Sequence, residues 1–267
     1  MLLEIRDLTV EFETSQQPVR AVDGVSLAID QGEVVGVVGE SGSGKTTLGL
    51  AITRLVPEPP AVIRTGQVLF DGQDLLQVDR RQLFRVRGGQ VAYIFQEPST
   101  SLNPVMTIGR QLIEMLELHT DVGGPAARRR AVELLSHVGL PAAEERLTSY
   151  PHELSGGMKQ RVMIAMAIAS GPKLLVADEP TTALDVTLER QIVMLLKRLQ
   201  RELGLSLLII SHSIHLVKQL ADRLVVMWQG KVVEEGPTPQ VLAHPRHDYT
   251  KRLLAAQPRV AVLEDGA

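Results

Sequence analysis

The chain has 267 residues, no cysteine, and 28 Lys and Arg against 31 Asp and Glu, which gives a net charge of −3. Without cysteine it cannot form a disulfide, a cysteine-ligated zinc site or an iron–sulfur cluster, and its balanced charge excludes bulk attraction to nucleic acid or an anionic membrane. We therefore expect a cytoplasmic protein with no nucleic-acid partner and no iron–sulfur cluster.

Strands dominate the predicted structure of the first hundred residues. LLEIRDLTVEF and VRAVDGVSLAID alternate apolar and polar residues, which predicts antiparallel strands, and EVVGVVG is an apolar run typical of a buried strand. A helix is predicted over Lys45–Leu55, because the proline-rich VPEPP that follows cannot continue it. GQVLFDGQDL and VAYIFQ indicate further strands before the pattern changes.

The pattern is helical from residue 98 to about residue 150, which predicts a small helical insert. KLLVADEP and LSLLIISH are then nearly continuous apolar runs, as in parallel strands covered by helices on both faces, and LERQIVMLLKRLQREL between them predicts an amphipathic helix. RLVVMWQGKVVEEG predicts a hairpin that turns at Gln229 and Gly230. The expected fold class is α/β, with a mixed, mainly parallel sheet and an N-terminal antiparallel β subdomain.

A glycine-rich loop joins the buried strand EVVGVVG to the first helix. Residues 39–46 read GESGSGKT, which satisfies G-x-x-x-x-G-K-[ST] in the strand-to-helix context that this phosphate-binding motif requires. Its backbone N–H groups would surround phosphate, Lys45 would reach the β- and γ-phosphates, and Thr46 would bind Mg²⁺. The predicted ATP-binding residues of this P-loop are Gly39, Glu40, Ser41, Gly42, Ser43, Gly44, Lys45, Thr46 and Thr47.

Polar residues follow three of the predicted core strands, where open α/β sheets place their ligand crevice. Asp178 is suited to hold Mg²⁺ through water and Glu179 to polarise an attacking water. Gln96 would touch Mg²⁺ and ATP, and His212 would stabilise the transferred charge. The alternatives are a solvated carboxylate pair, a solvated glutamine and a structural histidine.

A second glycine pair stands in LSGGMKQ, residues 154–160. Ser155 is a good N-cap for a helix predicted from Gly157 to Ser170, but two glycines at its start cost about 1 kcal/mol each in helix stability. Glycine at a helix N-terminus lets the backbone approach a ligand, so the segment predicts a second anion site.

Together these motifs resemble those of the nucleotide-binding subunit of ABC transporters, and LSGGMKQ is similar to that family's signature. The resemblance implies a P-loop NTPase core and identifies Gln96 as the Q-loop glutamine, Glu179 as the catalytic base and His212 as the switch histidine. Asp185, in TALD at 182–185, corresponds to the D-loop aspartate, and Phe12 is the best match for the aromatic residue that stacks on adenine. The signature residues implied to contact the partner's ATP are Ser155, Gly156, Gly157 and Gln160.

The resemblance also implies an assembly and a location. In this family two cassettes form a head-to-tail dimer that encloses two ATP molecules, on two membrane permease subunits served by an extracytoplasmic solute-binding protein. The chain would then lie on the inner face of the cell membrane as one ABC ATPase domain. Its expected parts are a nucleotide-binding core at about 1–97 and 172–243, a helical insert with the signature at about 98–171, and a tail at 244–267.

Longer phrases resemble the ATPases of oligopeptide, dipeptide and nickel uptake, in particular the first type of a non-identical pair. These phrases are IFQEPSTSLNPV, YPHELSGGMKQRVMIAMAIA, DEPTTALDVT and HPRHDYTKRLLAAQP. Two departures are the lack of a cysteine-bearing extension and Ser213 where the family usually has Asp after the switch histidine. Peptide is the first expected solute, and nickel or a metal chelate is the second. The alternative class of protein is a soluble ABC ATPase without a transporter, and a P-loop kinase or GTPase is a more distant alternative.

Overall fold

A computed structural model describes residues 1–182 and 184–256, and the side chains of all of these except residues 98 and 99. Residue 183 of the predicted TALD motif and the tail after residue 256 lie outside the described residues. The strands in chain order are β1 (Leu3–Phe12), β2 (Val19–Ile29), β3 (Val34–Val38), β4 (Ala61–Phe70), β5 (Gln73–Asp74), β6 (Val91–Ile94), β7 (Leu174–Asp178), β8 (Ser206–Ser211), β9 (Arg223–Trp228) and β10 (Lys231–Pro237). The α-helices are α1 (Lys45–Ala51), α2 (Arg80–Val86), α3 (Pro98–Ser101), α4 (Ile108–His119), α5 (Gly124–His137), α6 (Ala143–Arg146), α7 (Gly156–Ile168), α8 (Val186–Leu203), α9 (Ile214–Leu220), α10 (Thr238–Ala243) and α11 (Asp248–Ala255).

The predicted N-terminal antiparallel subdomain is confirmed. A four-stranded sheet has the order β2-β1-β4-β5, and its three long strands pair antiparallel. The alternation in β1 has the expected cause, since Leu3, Ile5, Leu8 and Val10 are buried in one core cluster.

The mixed, mainly parallel sheet is also confirmed. Its order is β10-β9-β3-β8-β7-β6, and only β10 among these described strands runs antiparallel to its neighbour. All residues of β3, β7 and β8 are buried, because helices and the antiparallel sheet cover both faces. The carboxyl ends of these parallel strands meet at one edge of the sheet, which is where the candidate site forms.

Helices α1 and α2 differ most from the prediction, while α7 differs from its predicted bounds by one residue at its start and two at its end. α1 ends at Ala51 rather than Leu55, because Arg54 adopts a positive φ of 55° and takes the chain out of the helix before the prolines. α2 was not predicted, although its capping box was readable in the sequence: the Asp79 side chain accepts from Gln82 N–H at 2.8 Å, and the Gln82 side chain accepts from Asp79 N–H at 3.3 Å.

The predicted helical insert covers α3–α7, and α4–α7 contribute buried residues to the same core cluster as β7 and β8. The predicted hairpin joins β9 to β10 at Gln229 and Gly230, which both have positive φ, as a two-residue type I′ turn requires. No helix within residues 1–182 and 184–256 is both long enough and apolar enough to span a bilayer.

Candidate active site

The P-loop runs from the end of β3 to the start of α1, against the backbone of β2. Gly44 has φ of +98°, and a Cβ there would lie 2.0 Å from the backbone oxygen of Ala21, so only glycine lets β2 approach. A Cβ on Gly42 would meet nothing within 4 Å, because this part of the loop faces open space. The loop is therefore closed on its β2 side and open on the side where a phosphate would lie.

Lys45 is buried beneath this loop. Its ammonium donates to the backbone oxygens of Gly39 at 2.9 Å and Glu40 at 2.8 Å, and to Ser43 Oγ at 3.3 Å. Burial lowers the pKa of Lys45, while the nearby carboxylates of Glu179, Asp178 and Glu40 act in the opposite direction. The ammonium is therefore held at the open side by loop carbonyls.

Asp178 ends β7 with an incompletely satisfied carboxylate. Its Oδ1 is buried and has no hydrogen-bond partner among the described residues. Burial raises the pKa of Asp178, whereas the adjacent Thr46 hydroxyl and the Lys45 ammonium act to lower it. A buried carboxylate oxygen without a partner is costly unless a ligand satisfies it, and a hydrated cation would do so.

The same residues fit Mg²⁺ only together with phosphate. No group of three or more His, Cys, Asp or Glu side chains within the described ranges is placed to hold a metal ion. One carboxylate and one hydroxyl, with water and phosphate oxygens, form the ligand set that Mg²⁺ usually takes in nucleotide sites.

Glu179 and His212 form a pair at the ends of β7 and β8. His212 Nδ1 lies 2.8 Å from Glu179 Oε1 and 2.6 Å from Oε2, and the Thr182 hydroxyl donates to Oε2 at 2.6 Å. Glu179 has φ of 50°, a strained value for a non-glycine residue, of the kind that recurs at functional sites. Its side chain is 12% exposed and that of His212 is 63% exposed, so the pair faces solvent through the histidine.

A cleft of about 260 Å³ brings together part of the P-loop, Gln96 and Glu179. Asp178 and His212 are not among its described lining residues. Its lining consists of Ala21, Ser41, Gly42, Gly44, Lys45, Thr46, Thr47, Gln96 and Glu179. Ala21 was not predicted, and the alternation of β2 gave no sign of its role. Neither Phe12 nor any signature residue is among the described residues that line this cleft. Phe12 is half-buried and packs on the core of the antiparallel sheet.

The four signature residues divide into two exposed and two internal ones. Ser155 and Gly156 are exposed, and Ser155 Oγ accepts from Met158 N–H at 3.3 Å as the N-cap of α7. Gly157 is buried, where a Cβ would lie 3.1 Å from Leu188 Cδ2, so this glycine also has a packing reason. Gln160 is 2% exposed and its amide donates to Pro180 O at 2.7 Å, so in this structure its side chain is held inside the fold.

The predicted D-loop residue Asp185 and the departure at Ser213 are both helix caps. The Asp185 carboxylate accepts from Leu188 N–H at 2.9 Å at the start of α8, and the residue is exposed. Ser213 Oγ accepts from Leu216 N–H at 3.3 Å at the start of α9. A serine after His212 therefore supplies a cap of the kind that an aspartate gives.

The sequence profile of the ABC transporter family matches residues 22–182, which contain the P-loop, Gln96, the signature and the Asp178–Glu179 pair. The chain belongs to this family. As an ABC cassette it is an ATPase that binds nucleotide, and its P-loop α/β fold is the one expected from the sequence.

Relatives and solved structures agree with this assignment. The oligopeptide transport ATP-binding protein OppD of Bacillus subtilis is 48% identical over 257 residues, which are 96% of this chain and 72% of OppD. The peptidoglycan transport ATP-binding protein YejF of Agrobacterium fabrum is 53% identical over 97% of this chain, which spans 47% of YejF. The dimeric, post-hydrolysis structure of the ATP-binding cassette MJ0796 with ADP and Pi superimposes with a TM-score of 0.79 at 29% identity, over 89% of this chain and 99% of that one.

Proposed function

We propose that the chain is the ATP-hydrolysing subunit of an ABC importer that takes up peptides. The observation that carries this proposal is the group of side chains at the sheet edge. It consists of buried Lys45, an Asp178 oxygen with no partner among the described residues, and the Glu179–His212 pair. Such a group serves phosphoryl transfer to water, in which positioning and charge stabilisation account for most of the rate.

In this proposal each side chain has one role. Lys45 and the loop N–H groups hold the phosphates, and Glu179 accepts the proton of the attacking water while His212 keeps its carboxylate oriented. Thr46, Asp178 and Gln96 would hold Mg²⁺, which when bound neutralises charge on the phosphates. Phe12, whose ring is half-buried, would stack on adenine.

We propose a head-to-tail dimer because the chain carries an exposed Ser155–Gly156 face that is absent from the described lining of its own cleft. The N-terminus of α7 would bind the ATP held by the partner's P-loop, and exposed Asp185 would lie at the same interface. The related cassette MJ0796 is described as dimeric with ADP and Pi, which supports this arrangement.

An apolar groove of about 260 Å³ beside Gln96 supports docking of membrane permease subunits. It is lined by Tyr93, Phe95, Met115, Met163 and Met166 among others, and Phe95 is 42% exposed. Phe95 directly precedes Gln96, so a permease helix bound in this groove would be coupled to the nucleotide cleft through these two residues. We propose a cytoplasmic chain on the inner membrane face, divided into core, insert and tail at the boundaries predicted above, with a second, non-identical ATPase and an extracytoplasmic binding protein.

The relatives' names favour peptide as the solute, since OppD is named for oligopeptides and YejF for peptidoglycan, which contains peptide. Nickel import by the same architecture is the second candidate.

The test is to co-express the chain with the permease subunits of its gene neighbourhood, purify them together in detergent and reconstitute them with the cognate binding protein. Peptide-stimulated ATPase activity would support the proposal. Stimulation by nickel alone would change the solute, and an active chain that joins only soluble partners would favour the non-transport class.

A further inference from the structure

The C-terminal helix α11 is docked on the core by specific hydrogen bonds. The backbone N–H groups of Arg246 and His247 donate to the Glu234 carboxylate of β10 at 2.7 and 3.0 Å. His247 then caps α11, because its Nδ1 accepts from Tyr249 N–H at 3.1 Å. Tyr249 is 2% exposed and belongs to the main core cluster, so the first turn of this helix has a fixed position.

Tyr249 reaches the P-loop from this helix. Its hydroxyl accepts a hydrogen bond from the backbone N–H of Glu40 at 2.9 Å, across 209 positions of sequence. Its ring stacks on Trp228 with a centroid distance of 5.4 Å and an interplanar angle of 20°. The Tyr249 hydroxyl therefore contacts the P-loop from a ring whose position is fixed by stacking on Trp228.

The hydrogen bond to Tyr249 involves the same peptide unit that accepts a hydrogen bond from Lys45. The Gly39 carbonyl and the Glu40 N–H belong to one planar peptide; the carbonyl accepts from Lys45 Nζ at 2.9 Å and the N–H donates to Tyr249. A flip of this peptide would break both bonds and leave the ammonium with only two of its three acceptors, Glu40 O and Ser43 Oγ. Burial raises the pKa of Tyr249, so the hydroxyl stays protonated at neutral pH.

We propose that Tyr249 is a positioning residue of the nucleotide site, which holds the Gly39–Glu40 peptide in the orientation that keeps Lys45 ready for phosphate. The C-terminal helix is thereby coupled to nucleotide affinity. This inference rests on the proposed function, because it requires phosphate to bind at the loop. A loop held in its binding conformation before the ligand arrives binds more tightly than one that must first adopt it.

The test compares Tyr249→Phe with the wild-type full-length chain, using MgADP so that turnover does not interfere. The ring and its stacking are retained, and one neutral hydrogen bond is lost, so we expect the MgADP dissociation constant to rise about fivefold. The emission of Trp228, the single tryptophan of the sequence, should be unchanged without nucleotide, which shows that the ring still packs.

Thr250→Val is the matched control. Thr250 is the next residue of α11, is 1% exposed, and its hydroxyl lies beside Glu234. It should leave MgADP affinity unchanged.

A second measurement separates positioning from general support of the fold. Coupling between two sites is reciprocal, so MgADP should slow amide hydrogen exchange over 248–255 in the wild type by a factor similar to the affinity change, and should lose this effect in Tyr249→Phe. Equal MgADP affinities in the wild type and Tyr249→Phe would overturn this inference alone, as would an equal loss in Thr250→Val. A wild-type chain that does not bind MgADP would overturn both this inference and the proposed function.

Discussion

Replacing Glu179 with glutamine should separate nucleotide binding from hydrolysis. The amide has nearly the same shape as the carboxylate, so its oxygen can still accept the hydrogen bond that Thr182 gives at 2.6 Å. It cannot accept a proton from water, and it removes the negative partner of His212, which lies 2.8 Å away. The substitution therefore removes the base while leaving the loop, Lys45 and Asp178 in place.

The expected magnitudes differ widely between turnover and stability. A positioned general base contributes about 10²- to 10⁴-fold, so the barrier to hydrolysis should rise by about 3 to 5 kcal/mol. Because the His212 side chain is 63% exposed, its contact with Glu179 contributes less than about 1 kcal/mol to the free energy of unfolding. Loss of activity through unfolding is therefore not expected.

The assay measures phosphate release at saturating MgATP, together with MgADP affinity and thermal unfolding of the same preparations. Glu133→Gln is the control, since Glu133 is exposed on α5 in an ion pair with Arg130 at 2.9 Å and undergoes the same chemical change. Turnover of Glu179→Gln within about tenfold of the wild type would refute the assignment of the base, because the lower limit for a general base is about 10².

The remaining predictions concern four other positions. Ser155→Trp should leave MgADP binding by the monomer unchanged but abolish the ATP hydrolysis that requires a dimer, measured as its dependence on protein concentration. Loss of MgADP binding by the monomer would show that the signature contacts the nucleotide bound by its own chain. Gly44→Ala should lower the free energy of unfolding by at least about 2 kcal/mol in urea titrations, because its φ is +98° and its new Cβ meets a β2 carbonyl at 2.0 Å. Burial raises the pKa of Asp178, so its carboxylate destabilises the nucleotide-free fold at pH 7, and this penalty declines as pH falls through the raised pKa. Asp178→Asn should therefore stabilise the free chain by about 1 kcal/mol at pH 7, an advantage that shrinks at lower pH, and should abolish Mg²⁺-dependent protection by ATP in thermal unfolding. Gln160→Leu leaves the buried Pro180 carbonyl unpaired, so it should lower the free energy of unfolding by about 1 to 3 kcal/mol in urea titrations. It should also reduce ATP turnover more than MgADP affinity, because Pro180 follows Glu179. An unchanged turnover would show that this bond does not affect catalysis.

Local signals predicted the parts of the site that a few consecutive residues build. The P-loop is readable because one strand, one glycine-rich turn and one helix start determine its shape, and Asp178 and Glu179 were placed by the rule that parallel strands end at one sheet edge. The capping box of α2 is equally local, because Asp79 and Gln82 form it within four residues. Such features depend on the backbone within a few positions and not on how distant elements pack.

Contacts between distant elements could not be predicted in the same way. Ser155 and Gln160 are five positions apart in one motif, yet one is exposed and the other is 2% exposed, because the orientation of α7 against the segment after β7 decides which side chain is buried. The bond from Glu40 to Tyr249 spans 209 positions, and neither residue carries a local pattern that indicates the other. Ala21 enters the cleft only because Gly44 lets β2 approach the loop.

The buried hydrogen bond between Gln160 and Pro180 connects the signature helix α7 to the segment that follows Glu179. Gln160 lies about one turn into α7, whose exposed N-terminus is proposed to bind the partner's ATP. Pro180 directly follows the proposed base Glu179. A hydrogen bond of 2.7 Å between buried groups resists relative displacement, since separating them would leave both without partners. In the proposed dimer, movement of α7 on contact with the partner's nucleotide would be transmitted through this bond to the segment that directly follows Glu179.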